Sequence, residues 1–452
     1  MNVDHLSLLS SFDPAVRKQA LDKLLGGDWR GRAAATDAVN MHMHSFCSYN
    51  GEGWSPSRLA WEARNTGLHA VGLVDFDVLA GLDEWFAATD RLELRAAAGF
   101  ESRVFFAPLA EQEINSPGEP GVMYFMGFGF ARPPAAGTPE AAALDGFLAQ
   151  AHQRNRDLLA RIQAKLPALT LDYERDVLPM TPAGNATERH LVRAYYNFML
   201  KREDGSPSRI AAGWAELFDM PVAEVQAKLA NVNGFVDFLR SKLMKKGGPG
   251  YVQPSRDTFP PLADVVRFIR GCGAVPMMAW LDGASAGEAD PRRLLETLMA
   301  HGIEAANIVP DRNWNFKDPE AAAVKVKALD AFMQACRDLA LPVNAGTELN
   351  RPGCRFVDNF DAAPMRPWRE DFRRGAEIMA GHTRLLRYAD FSYAGPAAAA
   401  EFPNRAARNA FFAAVGALPG PDAAVRHRLE TVGPAAALDL LRAAANFGRW
   451  TV

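Results

Sequence analysis

Short apolar runs alternate with amphipathic stretches from about Asp37 to Phe130, the pattern of successive strand–helix units. The pattern predicts a first strand over residues 37–43 and a helix from Pro56 to Thr66, started by Ser55-Pro56 and stopped by Gly67. Strands over 70–74, 96–100 and 122–128 follow, with a helix through Leu82 to Phe86 between the first two. After Arg132-Pro133-Pro134 the period changes, and residues 139–246 carry almost only helical spacing, including Leu144–Leu166, Thr187–Lys201 and Pro221–Met244. The Lys245-Lys246-Gly247-Gly248-Pro249-Gly250 run marks a return loop. Strands then resume at 274–279, 305–309 and 342–345, with helices at 291–301 and 319–339 between them.

These elements predict an α/β fold with seven strands in a parallel βα arrangement. The expected organisation is an N-terminal helical extension (1–36), a barrel in two segments (37–138 and 247–366), a helical insertion (139–246) and an Ala-rich helical C-terminal region (367–452). The 452 residues, 48% hydrophobic, suffice for a large core with accessory helices. Fifty basic against 53 acidic residues leave a formal charge of -3, which offers no field to gather nucleic acid or an anionic membrane. The start of the chain has no basic and apolar leader and no apolar run reaches membrane-spanning length, so a cytoplasmic protein is expected. Cys47, Cys272, Cys336 and Cys354 form no Cys-x-x-Cys pair, and neither a disulfide framework nor a cysteine zinc site is expected.

The candidate chemistry begins at His42-Met43-His44. On an extended strand residues i and i+2 face the same way, so both imidazoles can converge on one metal ion. In parallel βα barrels functional groups collect at the C-terminal ends of the strands. Asp75 and Asp77 follow the second strand, Glu101 and Arg103 the third, and Thr347-Glu348-Leu349-Asn350 the seventh. Imidazole and carboxylate without thiolate suit zinc, manganese or iron. Asp77, just before an apolar run, is expected to cap a helix or support a ligand.

The order and spacing of these residues resemble the polymerase and histidinol phosphatase (PHP) superfamily of metal-dependent phosphoesterases, over roughly residues 37–130 and 250–355. His42-Met43-His44 resembles its opening His-x-His, Val74-Asp75-Phe76-Asp77 its Thr-Asp-His-Asp block, and Gly99-Phe100-Glu101 its bridging glutamate. Thr187-Glu188-Arg189-His190 is similar to its Thr-Arg-x-His block with Glu188 in place of arginine, and Gly346-Thr347-Glu348-Leu349-Asn350 to its Gly-Ser-Asp-x-His. The resemblance implies a distorted seven-stranded βα barrel, hydrolysis of a small-molecule phosphoester, and a divalent metal (Mn, Zn or Fe). Phe76, Tyr124, Trp280 and Asn350 stand where the family has imidazoles, and Asn40 and Asn50 where it often has aspartate. A three-metal site is therefore not expected.

The remaining ligand set is His42, His44, Asp75, Glu101 and Glu348, for one ion, or two if Glu101 bridges. Asp75 is expected to orient the attacking water and His190 to protonate the leaving group, while Arg103, Arg312 and Arg351 clamp phosphate. Asn50, Asn313 and Asn350 are candidate polar contacts. A non-catalytic small-molecule binding or regulatory protein and a nuclease are the alternatives, and the oligomeric state is left open.

Overall fold

A computed structural model describes residues 4–27 and 34–451 of the chain. Its centre is one seven-stranded sheet in sequential order: β1 (Val39–Met43), β2 (Ala70–Phe76), β3 (Ala96–Phe105), β4 (Val122–Phe128), β5 (Val275–Trp280), β6 (Ala305–Ile308) and β7 (Val343–Ala345). A parallel bridge between Met43 and Glu348 joins the seventh strand back to the first, and His44 N–H donates to the Glu348 carbonyl while Glu348 N–H donates to that of His42. The sheet thus closes into a distorted barrel. Closure is tight: a Cβ on Gly346 would fall on the His42 backbone, so only glycine lets the strands meet there.

The helices between strands follow their sequence signals. In Pro56–Asn65, Ser55 accepts from Arg58 N–H and Pro56 occupies the first turn. This helix and Leu82–Arg91 bury Leu59, Trp61, Trp85 and Phe86 against the outer face of the sheet.

One expectation needs correcting. β4 runs antiparallel to both neighbours rather than parallel to them. A parallel return normally crosses over through a helix, and between Phe105 and Val122 the chain has only the short turn Ala107–Leu109. It doubles back instead, so the start of β4, not its end, shares the rim with the end of β3, and Tyr124 pairs with Arg103.

The helices from Pro139–Lys165 to Val232–Met244 pack around a second hydrophobic cluster that includes Leu159, Tyr195, Trp214, Phe235 and Leu243. At the opposite end the helix Arg369–Ala389 lies against the beginnings of the strands. Its Gly375 touches the Val343 carbonyl, and its Glu377 accepts from His69, just before β2, at 2.9 Å. The C-terminal helices therefore cover the barrel end away from the strand tips. No helix among the described residues is long and apolar enough to cross a membrane, and all four cysteines are free thiols.

Candidate metal centre and cavity

Three buried groups converge at the barrel mouth. His42 Nε2 lies 3.1 Å and His44 Nε2 3.2 Å from the same oxygen, Glu101 Oε2. Ligand atoms of these three residues all lie within 4.8 Å of one another, the one such group among the described residues. Strand periodicity brings them together: His44, one residue past the first strand but still paired with Glu348, faces the same way as His42, and Glu101 points inward from within the third, which runs on to Phe105.

The electrostatics of the trio ask for positive charge. Burial works to raise the pKa of Glu101, but the charge and hydrogen bonds of His42 and His44 outweigh it and hold the carboxyl at about 2. Burial opposes a charge on His44, yet hydrogen bonding to Glu101 and its charge overcome that and raise the pKa. His44 Nε2 is nonetheless buried without a well-formed hydrogen bond, despite its 3.2 Å approach to Glu101. Two imidazoles and one carboxylate, all oxygen and nitrogen donors aimed at one point, fit a zinc-, manganese- or iron-type cation and leave positions open for exogenous ligands.

Two other expected ligands take different partners. β2 continues to Phe76, which pairs with Glu101 and faces the cavity, so Asp75 is one residue out of phase and points to the other side of the sheet. There it accepts from Ser45 N–H (2.8 Å), Ser45 Oγ (2.7 Å) and Ser48 Oγ (2.7 Å). Burial raises its pKa, against these hydrogen bonds and the charge of His44. Asp75 is thus a brace for the turn after β1 and does not face the position expected for the attacking water. Glu348 does reach the cavity, but its Oε2 accepts from Arg312 (2.6 Å) and Asn350 (2.7 Å).

The cavity above the trio has a volume of about 410 Å³, within the range of small-molecule sites. Barrel residues His42, Phe76, Asp77, Glu101 and Tyr124 form one side, and Arg154, Glu188, Arg189, Arg240 and Lys245 of the helical segment face them. Phe76 stacks on His44 with centroids 4.5 Å apart, and Trp280 stacks on Phe332 at 4.3 Å. These replacements for imidazole thus pack as aromatic wall.

The other expected contacts divide between cavity and scaffold. Arg312, Asn350 and Arg351 line the cavity, and Arg351 has no ion pair among the described residues. Arg103 also lines it, but its guanidinium is taken up by Glu119 (3.0 Å) and Glu188 (3.1 Å). Asn50 and Asn313 do not line it. Asn50 donates to the His44 carbonyl and accepts from Glu52 and Trp54 N–H, while Asn313 donates to the Leu281 and Val309 carbonyls. Both secure loops by satisfying buried backbone groups.

His190, the expected proton donor, is a helix cap. Its Nδ1 accepts from Thr187 N–H at 3.1 Å in a capping box, and its ring packs edge-on against Tyr49 at 5.1 Å. Burial pushes its pKa down to about 4, so the ring is neutral at pH 7. A histidine with a depressed folded pKa binds its proton more readily unfolded, and its stability contribution is lost as pH falls from about 6.5 towards 4. Glutamine also serves at this capping position. His190→Gln should match the wild type at pH 7 and exceed it by about 2 kcal/mol at pH 4.5 in urea melts, a gap derived by linkage. Equal acid sensitivity of the two chains would remove the burial argument.

Sequence reasoning missed three features. Asp77 caps no helix: the helix Leu82–Arg91 starts from Gly81, and Asp77, with φ 56°, lines the cavity and accepts from Ser102 Oγ at 2.6 Å. Asn307 reaches His42 Nδ1 at 3.1 Å. Glu188 gathers Arg103, Arg240 (2.7 Å) and Lys245 (3.0 Å) into a half-buried charge cluster. Only the conspicuous charge reversal in Thr187-Glu188-Arg189-His190 hinted at the last.

No family model and no curated protein matches the chain. Among solved structures it is similar to an amidohydrolase from Chromobacterium violaceum, a structure with bound sulfate and no metal. The identity is 17%, over 75% of this chain and 96% of that one, with a TM-score of 0.49. It is also similar to a protein from Bifidobacterium adolescentis described as a metal-dependent phosphoesterase, at 17% identity over 73% of this chain and 94% of that one, with a TM-score of 0.43.

Proposed function

We propose that this protein is a metal-dependent hydrolase of a small-molecule phosphoester. The observation that carries the reading is the buried His42–His44–Glu101 trio beneath a cavity whose wall is rich in cations. Seven Arg and Lys side chains line that cavity against four carboxylates; Glu119 and Asp237 behind the wall pair with Arg103 and Arg189, and the positive excess suited to an anionic substrate lies at Arg154 and Arg351. Arg154 contributes to it directly. Burial and the neighbouring Arg103 push its guanidinium pKa down to about 10, and its nearest carboxylate, Asp77, stays 4.0 Å away. An incoming anion relieves such an under-neutralised, half-buried cation.

His42, His44 and Glu101 would hold a divalent cation, whose charge would serve to polarise a phosphoryl oxygen and lower the pKa of a water. The chain's own groups hold the substrate. Arg351 is free to take phosphate, and Arg312, fixed by Glu348, offers its remaining N–H donors beside it. Phe76, Tyr124 and Trp280 exclude water from one side. The helical segment supplies the opposite wall and with it the selection of the non-reacting part of the substrate.

Elemental analysis of the purified chain and a phosphoester panel, run before and after chelation, test this. Near one equivalent of Mn, Zn or Fe per chain, and turnover that disappears on chelation and returns with metal, are expected. Absence of divalent metal at micromolar supply would overturn the reading. Tight binding of a phosphorylated compound without turnover would favour the non-catalytic alternative.

A further inference from the structure

Asn307, fully buried on β6, carries an arrangement that the ligand trio leaves unexplained. Its Nδ2 lies 3.1 Å from His42 Nδ1, while its Oδ1 is buried with no hydrogen-bond partner. A neutral imidazole has one N–H and one lone pair. With His42 Nε2–H directed at Glu101 Oε2, 3.1 Å away, Nδ1 is the lone-pair side and accepts from the amide. A cation held by the trio needs the lone pair at Nε2 instead, so the proton must sit on Nδ1, where it requires an acceptor.

His44 meets that condition through a hydroxyl. Its Nδ1 lies 3.4 Å from Ser48 Oγ, whose own proton goes to Asp75 Oδ1 at 2.7 Å, leaving oxygen lone pairs to accept a ring N–H. His42 has no hydroxyl there. Its Nδ1 faces the Asn307 amide, and a half-turn about the terminal side-chain bond brings the unpartnered Oδ1 to the place now held by Nδ2.

We propose that Asn307 is the positioning residue of the metal centre, a reversible amide that donates to His42 in the metal-free chain and accepts from it in the metal-loaded one. The inference rests on the metal reading of the trio. It assigns Asn307 no contact with the reacting atoms. Its effect is to stabilise the His42 tautomer that presents Nε2 to a cation.

The test is the Zn²⁺ dissociation constant of the full-length chain, measured by competition with a chromophoric chelator, for wild type, Asn307→Leu and Asn307→Asp. Leucine offers no acceptor, and loss of such an outer partner weakens binding by roughly 10- to 100-fold. Aspartate accepts permanently and should bind at least as tightly as wild type. The ¹⁵N resonances of the His42 ring give an independent reading: the protonated nitrogen should change from Nε2 to Nδ1 on adding Zn²⁺. If Asn307→Leu fails to fold, the aspartate variant and the ring resonances carry the test alone.

Wild-type affinity in Asn307→Leu, equal weakening in both variants, or a ring proton that stays on Nε2 would each overturn the assignment while leaving the metal centre standing. A wild-type chain that binds no Zn²⁺ removes the metal reading itself and the assignment with it.

Discussion

Glu101→Gln is expected to abolish stoichiometric metal binding and any phosphoester turnover, with a loss of metal affinity beyond 100-fold. Replacement of outer partners alone costs roughly 10- to 100-fold, and this substitution removes one of three inner donors and the only formal negative charge among them. Glutamine keeps the shape of glutamate, so packing beside Phe76 and His42 is preserved and the change isolates charge. The same substitution should destabilise the metal-free protein at neutral pH. The carboxyl of Glu101 is held at about 2, below its ordinary value of 4.5. A depressed carboxylate contributes stability above its unfolded pKa and loses it as pH falls through the folded one. Above the unfolded pKa that contribution is present in the wild type and absent in the variant, a difference on the order of 3 kcal/mol where both imidazoles are cationic and smaller where His42 is neutral. Inductively coupled plasma analysis and urea melts at pH 7 and pH 3 read the two effects. A variant with wild-type metal content would show that Glu101 is not a ligand. A stability gap that fails to narrow between pH 7 and pH 3 would show that its charge is not what matters to the fold.

Glu188→Gln should loosen the helical wall of the cavity. Glu188 accepts from Arg103 at 3.1 Å and Arg240 at 2.7 Å, and pairs with Lys245 at 3.0 Å. Burial acts to raise its pKa, but Lys245, Arg240 and Arg103 prevail and hold it well below the usual carboxylate range. Removing its charge leaves Arg240 without its half-buried carboxylate partner and Lys245 with only the charge of Glu119, which is already engaged by Arg103 and Ser116. Leaving such half-buried donors without their charged acceptor costs roughly 1–3 kcal/mol. Because Glu188 starts the helix Glu188–Arg202 and Arg240 belongs to Val232–Met244, the loss should concentrate there. Amide exchange in those two helices should quicken by about 10-fold or more, while exchange in the first three strands stays near wild type. Uniform acceleration across the chain, or none, would contradict this local role.

Much of the barrel is written in local pattern. Apolar runs bounded by Ser55-Pro56, Gly67 and similar signals place six of the seven strands to within about two residues, because burial of a strand demands a short apolar run whatever its neighbours, while β3 runs on past Phe100 to Phe105 and takes Glu101 and Arg103 inside it. The His42–His44 pair is equally local, since a two-residue repeat fixes its shared face. Direction is not local. β4 reads like its neighbours, yet runs opposite to them, because strand orientation depends on the connection before it and not on the strand's own residues.

The site divides the same way. Sequence identified His42, His44 and Glu101 as residues that could meet, and it recognised Asp75 and Glu348 by the same criterion of an acid near a strand end. What separates the two groups is phase and partner. Asp75 lies one residue out of register with the inward-facing Phe76, and Glu348 is matched with Arg312 from after β6. The capping box of Thr187 and His190 is local, three residues apart, whereas the amide of Asn307 behind His42 and the cation cluster on Glu188 depend on residues brought together only when the chain folds. The sequence by itself determined which side chains could do chemistry, because residue type sets donor atoms and charge. The tertiary structure decided which of them do it together, because hydrogen bonds and ion pairs act over a few ångströms in space, with no regard to distance along the chain.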